Sequence, residues 1–181
     1  FPDFPSEIRA PAGSLPGVSG FQIHFGSGNV LTPGDSADCL VVMNPAALKV
    51  NINDLGKGSL LIVNSDSFSE EDLKKAGYDS NPLEQEELQK SYNLIKIDAI
   101  RLTKEALADS PLRTYDKIRC KNFFVLGLLY QLFSKDLLIT TKWINVKWQN
   151  KPDVADANRT ALKRGFEYGQ EIAINQSGII G

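Results

Sequence analysis

Apolar residues fall into short runs in the first half of this chain and into helical spacing in the second. Continuous runs occupy 39–43 (Cys39-Leu40-Val41-Val42-Met43) and 59–63 (Ser59-Leu60-Leu61-Ile62-Val63), and a further strand is predicted over 92–97. Runs this short suit strands buried on both faces, as in a parallel or mixed sheet. A weaker alternation at 21–25, the turn Gly26-Ser27-Gly28-Asn29 and then Val30-Leu31 predict a half-buried strand and its hairpin return. A helix is predicted over 45–55, with Pro45 in its first turn and Gly56 at its end. A second is predicted over 69–76, where Ser69 caps, three carboxylates load the first turn and Gly77 closes. Beyond Ile97 the pattern is wholly helical, at about 101–109, 114–134, 137–148 and 152–173. This order predicts a three-layer α/β/α architecture with a central mixed sheet. One domain is expected over 1–174, with 175–181 as a linker or tail.

Composition narrows the function classes. An apolar content of 42% and a charged content of 23% are those of a water-soluble domain with a full core. The net charge of −2 supplies no basic field, so no nucleic-acid partner is expected. The densest apolar run, Phe123 to Phe133, is too short to span a bilayer, so no membrane association is expected. Two distant cysteines, Cys39 and Cys120, fit a reducing cytoplasm and are too few for an iron–sulfur cluster. The lone histidine, His24, alternates with apolar residues and reads as a strand residue, not a metal ligand. No nucleophile elbow, P-loop, paired-cysteine motif or complete dinucleotide fingerprint occurs. No catalytic residue and no metal site are therefore expected, and the chain alone is not expected to be an active enzyme.

Four constellations can still carry chemistry. The loop from Glu7 to Ser19 places Arg9 among prolines and glycines. Backbone N–H groups near Gly13 and Ser14 can form an anion-binding nest there, or the loop can be a rigid brace with Glu7 and Arg9 paired. Ligands of open α/β sheets gather beyond the carboxyl ends of the strands, which points to Asn44, Asn64-Ser65-Asp66 and Asp98. The same residues also suit caps and turns. Arg113, Lys117, Arg119 and Lys121 crowd the start of the helix predicted over 114–134, where the dipole disfavours cations. An anion, the carboxylates at 84–87, a partner subunit or solvent can each meet them. Trp143 and Trp148, interleaved with Lys142, Lys147 and Lys151, suit either a base-stacking surface or an amphipathic helix laid on the sheet, and the amphipathic helix is the simpler account. The dense helix around Gly127 reads as core, with the glycine admitting a close neighbour.

Five segments carry a resemblance: FPSEIRAPAGSLPGVSGFQIHFGS (4–27), TPGDSADCLVVMNPAALKVNI (32–52), KAGYDSNPLE (75–84), RCKNFFVLGL (119–128) and KPDVADANRTALKRGFEYG (151–169). In this order they resemble the gamma-type domain of 2-oxoacid:ferredoxin oxidoreductases, in the form fused to the N-terminus of the alpha subunit of the 2-oxoglutarate type. The family's opening strand, Gly-rich turn and helix are not among these residues. With Met43 the only methionine, the sequence is expected to be a piece of a longer chain. The resemblance implies a holoenzyme that oxidatively decarboxylates a 2-oxoacid, 2-oxoglutarate in this subgroup, to an acyl-CoA and reduces ferredoxin. Thiamine diphosphate, Mg²⁺, iron–sulfur clusters and CoA are implied for the holoenzyme and none for this chain alone. The implied partners are the remaining alpha-subunit domains and a beta subunit, with ferredoxin met through the holoenzyme. The implied role is accessory: closing the active centre and supporting assembly. Arg9, Gly13, Ser14, Asn44, Arg119 and Lys121 are the candidate cofactor-binding residues. A stand-alone nucleotide- or CoA-binding module and a purely structural interaction domain are the alternatives. Its apolar surface makes the fragment a candidate homo-oligomer, expected as a dimer.

Overall fold

The computed structural model describes residues 36–175, without the side chains of 173–175, together with Leu15, Gly17, Val18, Gly20 and Ile23. The hairpin expected over 21–31 lies outside the described residues apart from Ile23, as do Arg9, Gly13 and Ser14. The fold is α/β and divides into two compact units, Phe1–Ile97 and Asp98–Gly181.

The first unit is built on three strands, β1 (Ala37–Val42), β2 (Leu55–Asn64) and β3 (Asn93–Ile97), hydrogen-bonded in that order. A mixed sheet was the expectation, and the described strands are all parallel. The connections explain this, because parallel neighbours need a crossover. Helix α1 (Pro45–Asn51) joins β1 to β2, and α2 (Glu70–Lys75) and α3 (Glu86–Ser91) lie between β2 and β3. Val42 stands opposite Val63, and Ile62 opposite Ile95. Val42, Leu61 and Val63 share one core with Leu48 of α1, Leu73 of α2, Phe68 and Leu83. Ile62, Ile95 and Ile97 alternate with that set and are just as buried. Burial of both faces is why the strands read as unbroken apolar runs.

Two local expectations changed. The helix predicted over 45–55 ends at Asn51, and a 3-10 turn, Ile52–Asp54, leads straight into β2. Gly56 therefore lies inside a strand. Leu55 is buried and pairs with Ala37, after which the register jumps to Cys39 opposite Leu60. The surplus residues leave the regular ladder, and Gly58 takes a φ of 80° there. Helix α3 went unforeseen because Leu88 is the one large apolar residue among its six. Helix α2 forms as its sequence requires: Ser69 Oγ accepts the Asp72 N–H at 3.2 Å, and three carboxylates follow. Lys49 of α1 donates to the Ala76 and Gly77 carbonyls at 3.0 and 2.6 Å, so one helix closes the end of the next.

The second unit is helical: α4 (Ala99–Ala106), α5 (Thr114–Arg119), α6 (Lys121–Leu132), α7 (Leu138–Lys147) and α8 (Pro152–Asn175). The single helix expected over 114–134 is broken at Cys120, whose ψ of −7° carries the chain out of α5. Helices α6 and α8 meet backbone to backbone. A Cβ built on Gly165 would overlap the Phe124 carbonyl, and one on Gly127 would overlap the Leu162 carbonyl. One turn further, a Cβ on Gly169 would stand 2.8 Å from Gln131 Cβ. Phe124, Ala157 and Ala161 fill one side of this crossing. Ile144, Ala155 and Leu162, with Phe123, Trp143 and Trp148 packed against them, fill another.

This crossing leaves no room for a methyl group. Gly165→Ala is expected to destabilise the protein by about 3 kcal/mol, the upper range for overpacking. That lowers the thermal midpoint by roughly 6–12 °C. Gly20→Ala, with nothing within 4 Å of the added carbon, is the control and is expected to leave the midpoint unchanged. Thermal scans followed by circular dichroism compare the three proteins.

Candidate functional site

The carboxyl edge of the parallel sheet is where the topology concentrates polar groups. Asn44 stands two residues beyond β1, and both ends of its side-chain amide are engaged. Oδ1 accepts the Ala47 N–H at 2.8 Å and caps α1. Nδ2 donates to the carbonyl of Gly17 at 3.0 Å, across twenty-seven residues of sequence. Gly17 has a φ of 84°, the value that the third position of a type II turn demands and that glycine adopts without strain. One side chain thus fixes the first turn of α1 and a point on the Pro/Gly-rich loop together.

The neighbouring strand ends are tied in a similar way. Asn64 closes β2, is buried, and donates from Nδ2 to Ser67 Oγ at 2.7 Å. Ser65 Oγ donates to the Ile97 carbonyl at 3.0 Å, joining the exit of β2 to the end of β3. In the second unit the Asp98 carboxylate opens α4 and takes Arg101 at 3.1 Å. Asn44, Asn64 and Ser65, which ligand geometry singled out, are thus engaged in hydrogen bonds that shape the edge.

The basic run looks different once the helix is seen to break. Lys117 and Arg119 occupy the last turn of α5, where the helix dipole favours cations. Lys117 Nζ donates to the Ala108 carbonyl at 3.0 Å, and the Arg119 guanidinium lies 5.9 Å from the Tyr115 ring centroid. Arg113 is the residue before α5, and Lys121 alone of the four begins a helix, α6. The electrostatic penalty expected for four cations at one helix start is therefore largely absent. Asn44 belongs to the first unit, Arg119 and Lys121 to the second. The tryptophans pack inward. Trp143 and Trp148 meet edge to face at 5.6 Å, and Phe123 meets Trp148 at 5.8 Å. Their partners are Phe123 and the core shared by α7 and α8, with Lys147 lying 5.7 Å above the Trp143 ring.

Neither cysteine offers a thiolate. Burial, with Asp38 adding to it, pushes the Cys39 thiol up to about 11. Burial and Asp116 push Cys120 up to about 11 against the opposing pull of Arg119. Cys120 Sγ donates to the Asp116 carbonyl at 3.5 Å. An iron–sulfur cluster takes deprotonated sulfur, usually from four cysteines, and this donor set does not fit one. Among the described residues, no three His, Cys, Asp or Glu side chains are grouped to hold a metal ion. No described helix is long and apolar enough to cross a membrane. Gly17 is the site residue that sequence reasoning did not single out, although the Pro16-Gly17 pair was its signal.

Comparison with known proteins adds the family. Residues 1–168 match the family model described as pyruvate ferredoxin/flavodoxin oxidoreductase. The chain is 47% identical over 169 residues to the 2-oxoglutarate oxidoreductase subunit KorA of Mycobacterium tuberculosis (strain ATCC 25618 / H37Rv). That match covers 93% of this chain and 26% of the relative, so the chain spans about a quarter of the length of the curated relative it matches. No solved structure matches the chain significantly.

The two thiols generate a pH prediction with a definite sign. Both are held above the ordinary value of 9.0, so the folded state keeps protons that the unfolded chain releases. Their contribution is fully present below pH 9 and is lost as the pH rises through about 11. The urea midpoint is expected to fall over that window. The fall is expected to be smaller in the double variant Cys39→Ala, Cys120→Ala. Thiol-reagent titration at pH 8 is expected to label the native protein far more slowly than the urea-unfolded one.

Proposed function

The chain belongs to the pyruvate ferredoxin/flavodoxin oxidoreductase family, and on that premise we propose that it is the gamma-like, accessory part of a 2-oxoacid:ferredoxin oxidoreductase. The whole enzyme would oxidatively decarboxylate a 2-oxoacid, form an acyl-CoA and pass the electrons to ferredoxin. The name of the mycobacterial relative favours 2-oxoglutarate as that acid. In this reading the region 1–174 contributes no catalytic side chain. It closes one side of the active centre and supports assembly with the remaining alpha-subunit domains and a beta subunit, in the cytoplasm. Thiamine diphosphate, Mg²⁺ and the iron–sulfur clusters would be held by those other parts.

The observation that carries the reading is the Gly17–Asn44 hydrogen bond, which brings Gly17, within the family-matching segment, to the carboxyl edge of the sheet. Arg9, Gly13, Ser14 and Asn44 are proposed to contribute to meeting CoA, and Arg119 and Lys121 to meet a further anionic group. Leu138, Ile139 and Val146 project from α7 into solvent, Ile139 with 80% exposure. Apolar side chains so exposed support contact with another polypeptide.

The test is made on the assembled enzyme. It is expected to reduce ferredoxin only when both a 2-oxoacid and CoA are present, and to use 2-oxoglutarate in preference to pyruvate. Arg9→Ala is expected to raise the KM for CoA about ten- to a hundredfold, the cost of one hydrogen bond to a charged partner, with kcat and melting unchanged. Unchanged CoA dependence would remove Arg9 from the site. If Glu7→Gln copies the defect and the double variant is no worse, Arg9 acts by bracing the loop instead. Micromolar binding of CoA to the isolated chain in a calorimeter would favour the stand-alone module.

A further inference from the structure

We propose that the outward face of α7 is a docking surface for a polypeptide patch of apolar side chains flanked by carboxylates, carried elsewhere in the assembled enzyme; this rests on the functional reading above and names the chemistry of the partner. Helical geometry puts Leu138, Ile139, Lys142 and Val146 on one face, at i, i+1, i+4 and i+8, and all four are exposed. The opposite face is spent inside the unit. Thr140 and Ile144 are buried there, and Thr140 shares a 2.7 Å hydrogen bond with Tyr130. Of the six large apolar or aromatic side chains exposed among the described residues, three lie on this one face, so they form a patch and are not scattered. The charge on the face has one sign. The ten residues of α7 hold no carboxylate. Lys142, between Ile139 and Val146, and Lys151, just beyond the helix, have no ion-pair partner among the described residues. Asp136 Oδ1 accepts the Leu138 N–H at 2.8 Å, and Asp156 takes Arg159 at 3.0 Å. An apolar centre with unneutralised cations is complementary to apolar side chains flanked by Asp or Glu. A second copy offering the same face would set like charges together, which costs free energy. A lipid surface is disfavoured by the tryptophans, which face the membrane in interfacial helices and here pack inward on Phe123. The chain spans 26% of the length of the mycobacterial relative, so an enzyme of that size carries most of its polypeptide surface outside these residues.

The position of Ile139 allows a test in which the helix and the partner pull in opposite directions. It is the second residue of α7, where the helix dipole favours an aspartate and disfavours a lysine. On an open face Ile139→Asp would melt at or above Ile139→Lys, and both would stay near the wild-type value. Against a partner bearing carboxylates the order reverses. In the assembled enzyme Ile139→Asp is expected to lower the melting midpoint by about 4–8 °C, the scale of a buried interface anchor, and Ile139→Lys by less. Carbodiimide coupling, which joins a lysine amine to a touching carboxylate, is expected to link Lys142 to an Asp or Glu outside this sequence, identified by mass spectrometry. Wild-type melting in both variants would overturn the docking surface. An Asp variant melting no lower than the Lys variant would overturn the acidic partner. Links from Lys142 to a second copy of this chain, or melting that responds to the substitutions only when anionic vesicles are added, would give the face to those occupants and overturn the proposal. None of these readouts needs turnover. If the wild-type enzyme shows no 2-oxoacid-dependent ferredoxin reduction, the functional reading fails, and the melting order still decides the docking surface.

Discussion

The closest approach in the second unit is between two backbones, and its helical packing is arranged around it. Helices α6 and α8 touch where Gly127 faces Leu162 and Gly165 faces Phe124, with no space for a side chain at either glycine. Such contact maximises dispersion between main-chain atoms and lets the neighbouring side chains interlock. It also dictates what lies beside it. Ala157 and Ala161 are small because the helices are close, and Phe124 must leave the crossing sideways, where it meets Tyr168 with ring centroids 5.7 Å apart. The tryptophans of the α7 region then close the opposite flank against Phe123.

The first unit is organised by a different constraint, the parallel sheet buried on both faces. Its strand ends cannot leave polar groups unsatisfied, and the chain meets that need with short asparagine and serine side chains. Asn44, Asn64 and Ser65 each bond across a corner. The carboxyl edge of such a sheet is also where α/β proteins bind ligands. Here its polar residues are largely spent on structure, Asn44 among them through its bond to Gly17.

This arrangement suits a domain that shapes an active centre without supplying its chemistry. Both thiols are pushed to about 11, and Lys117 and Arg119 lie in the last turn of α5, where the helix dipole favours cations. A large multidomain oxidoreductase places its reactive groups on cofactors, and its proteins supply binding and orientation. A rigid corner that holds Gly17 would fit the accessory role proposed above.

The sequence by itself determined the α/β class, all three described strands within a few residues, the Ser69 cap of α2 and the family, while the tryptophans expected on the sheet pack in the core of α7 and α8. The class, the strands, the cap and the family rest on local periodicity, on a capping residue or on motif order, and those are properties of the chain before it folds. The parallel sense of the sheet, the extension of β2 back to Leu55 and the break at Cys120 were decided by tertiary structure. Leu55 joins β2 because Ala37 and a buried core are there to receive it, and no feature of residues 51–56 encodes that neighbour. The apolar pattern runs on through Cys120, so only the packing of two separate helices reveals the break, and with it the change in what the lysines and arginines experience. The role of Asn44 is legible to the extent that it is local: a helix cap can be read from Asn44-Pro45, whereas its bond to a glycine twenty-seven residues away depends on the path of the loop, which no periodicity records.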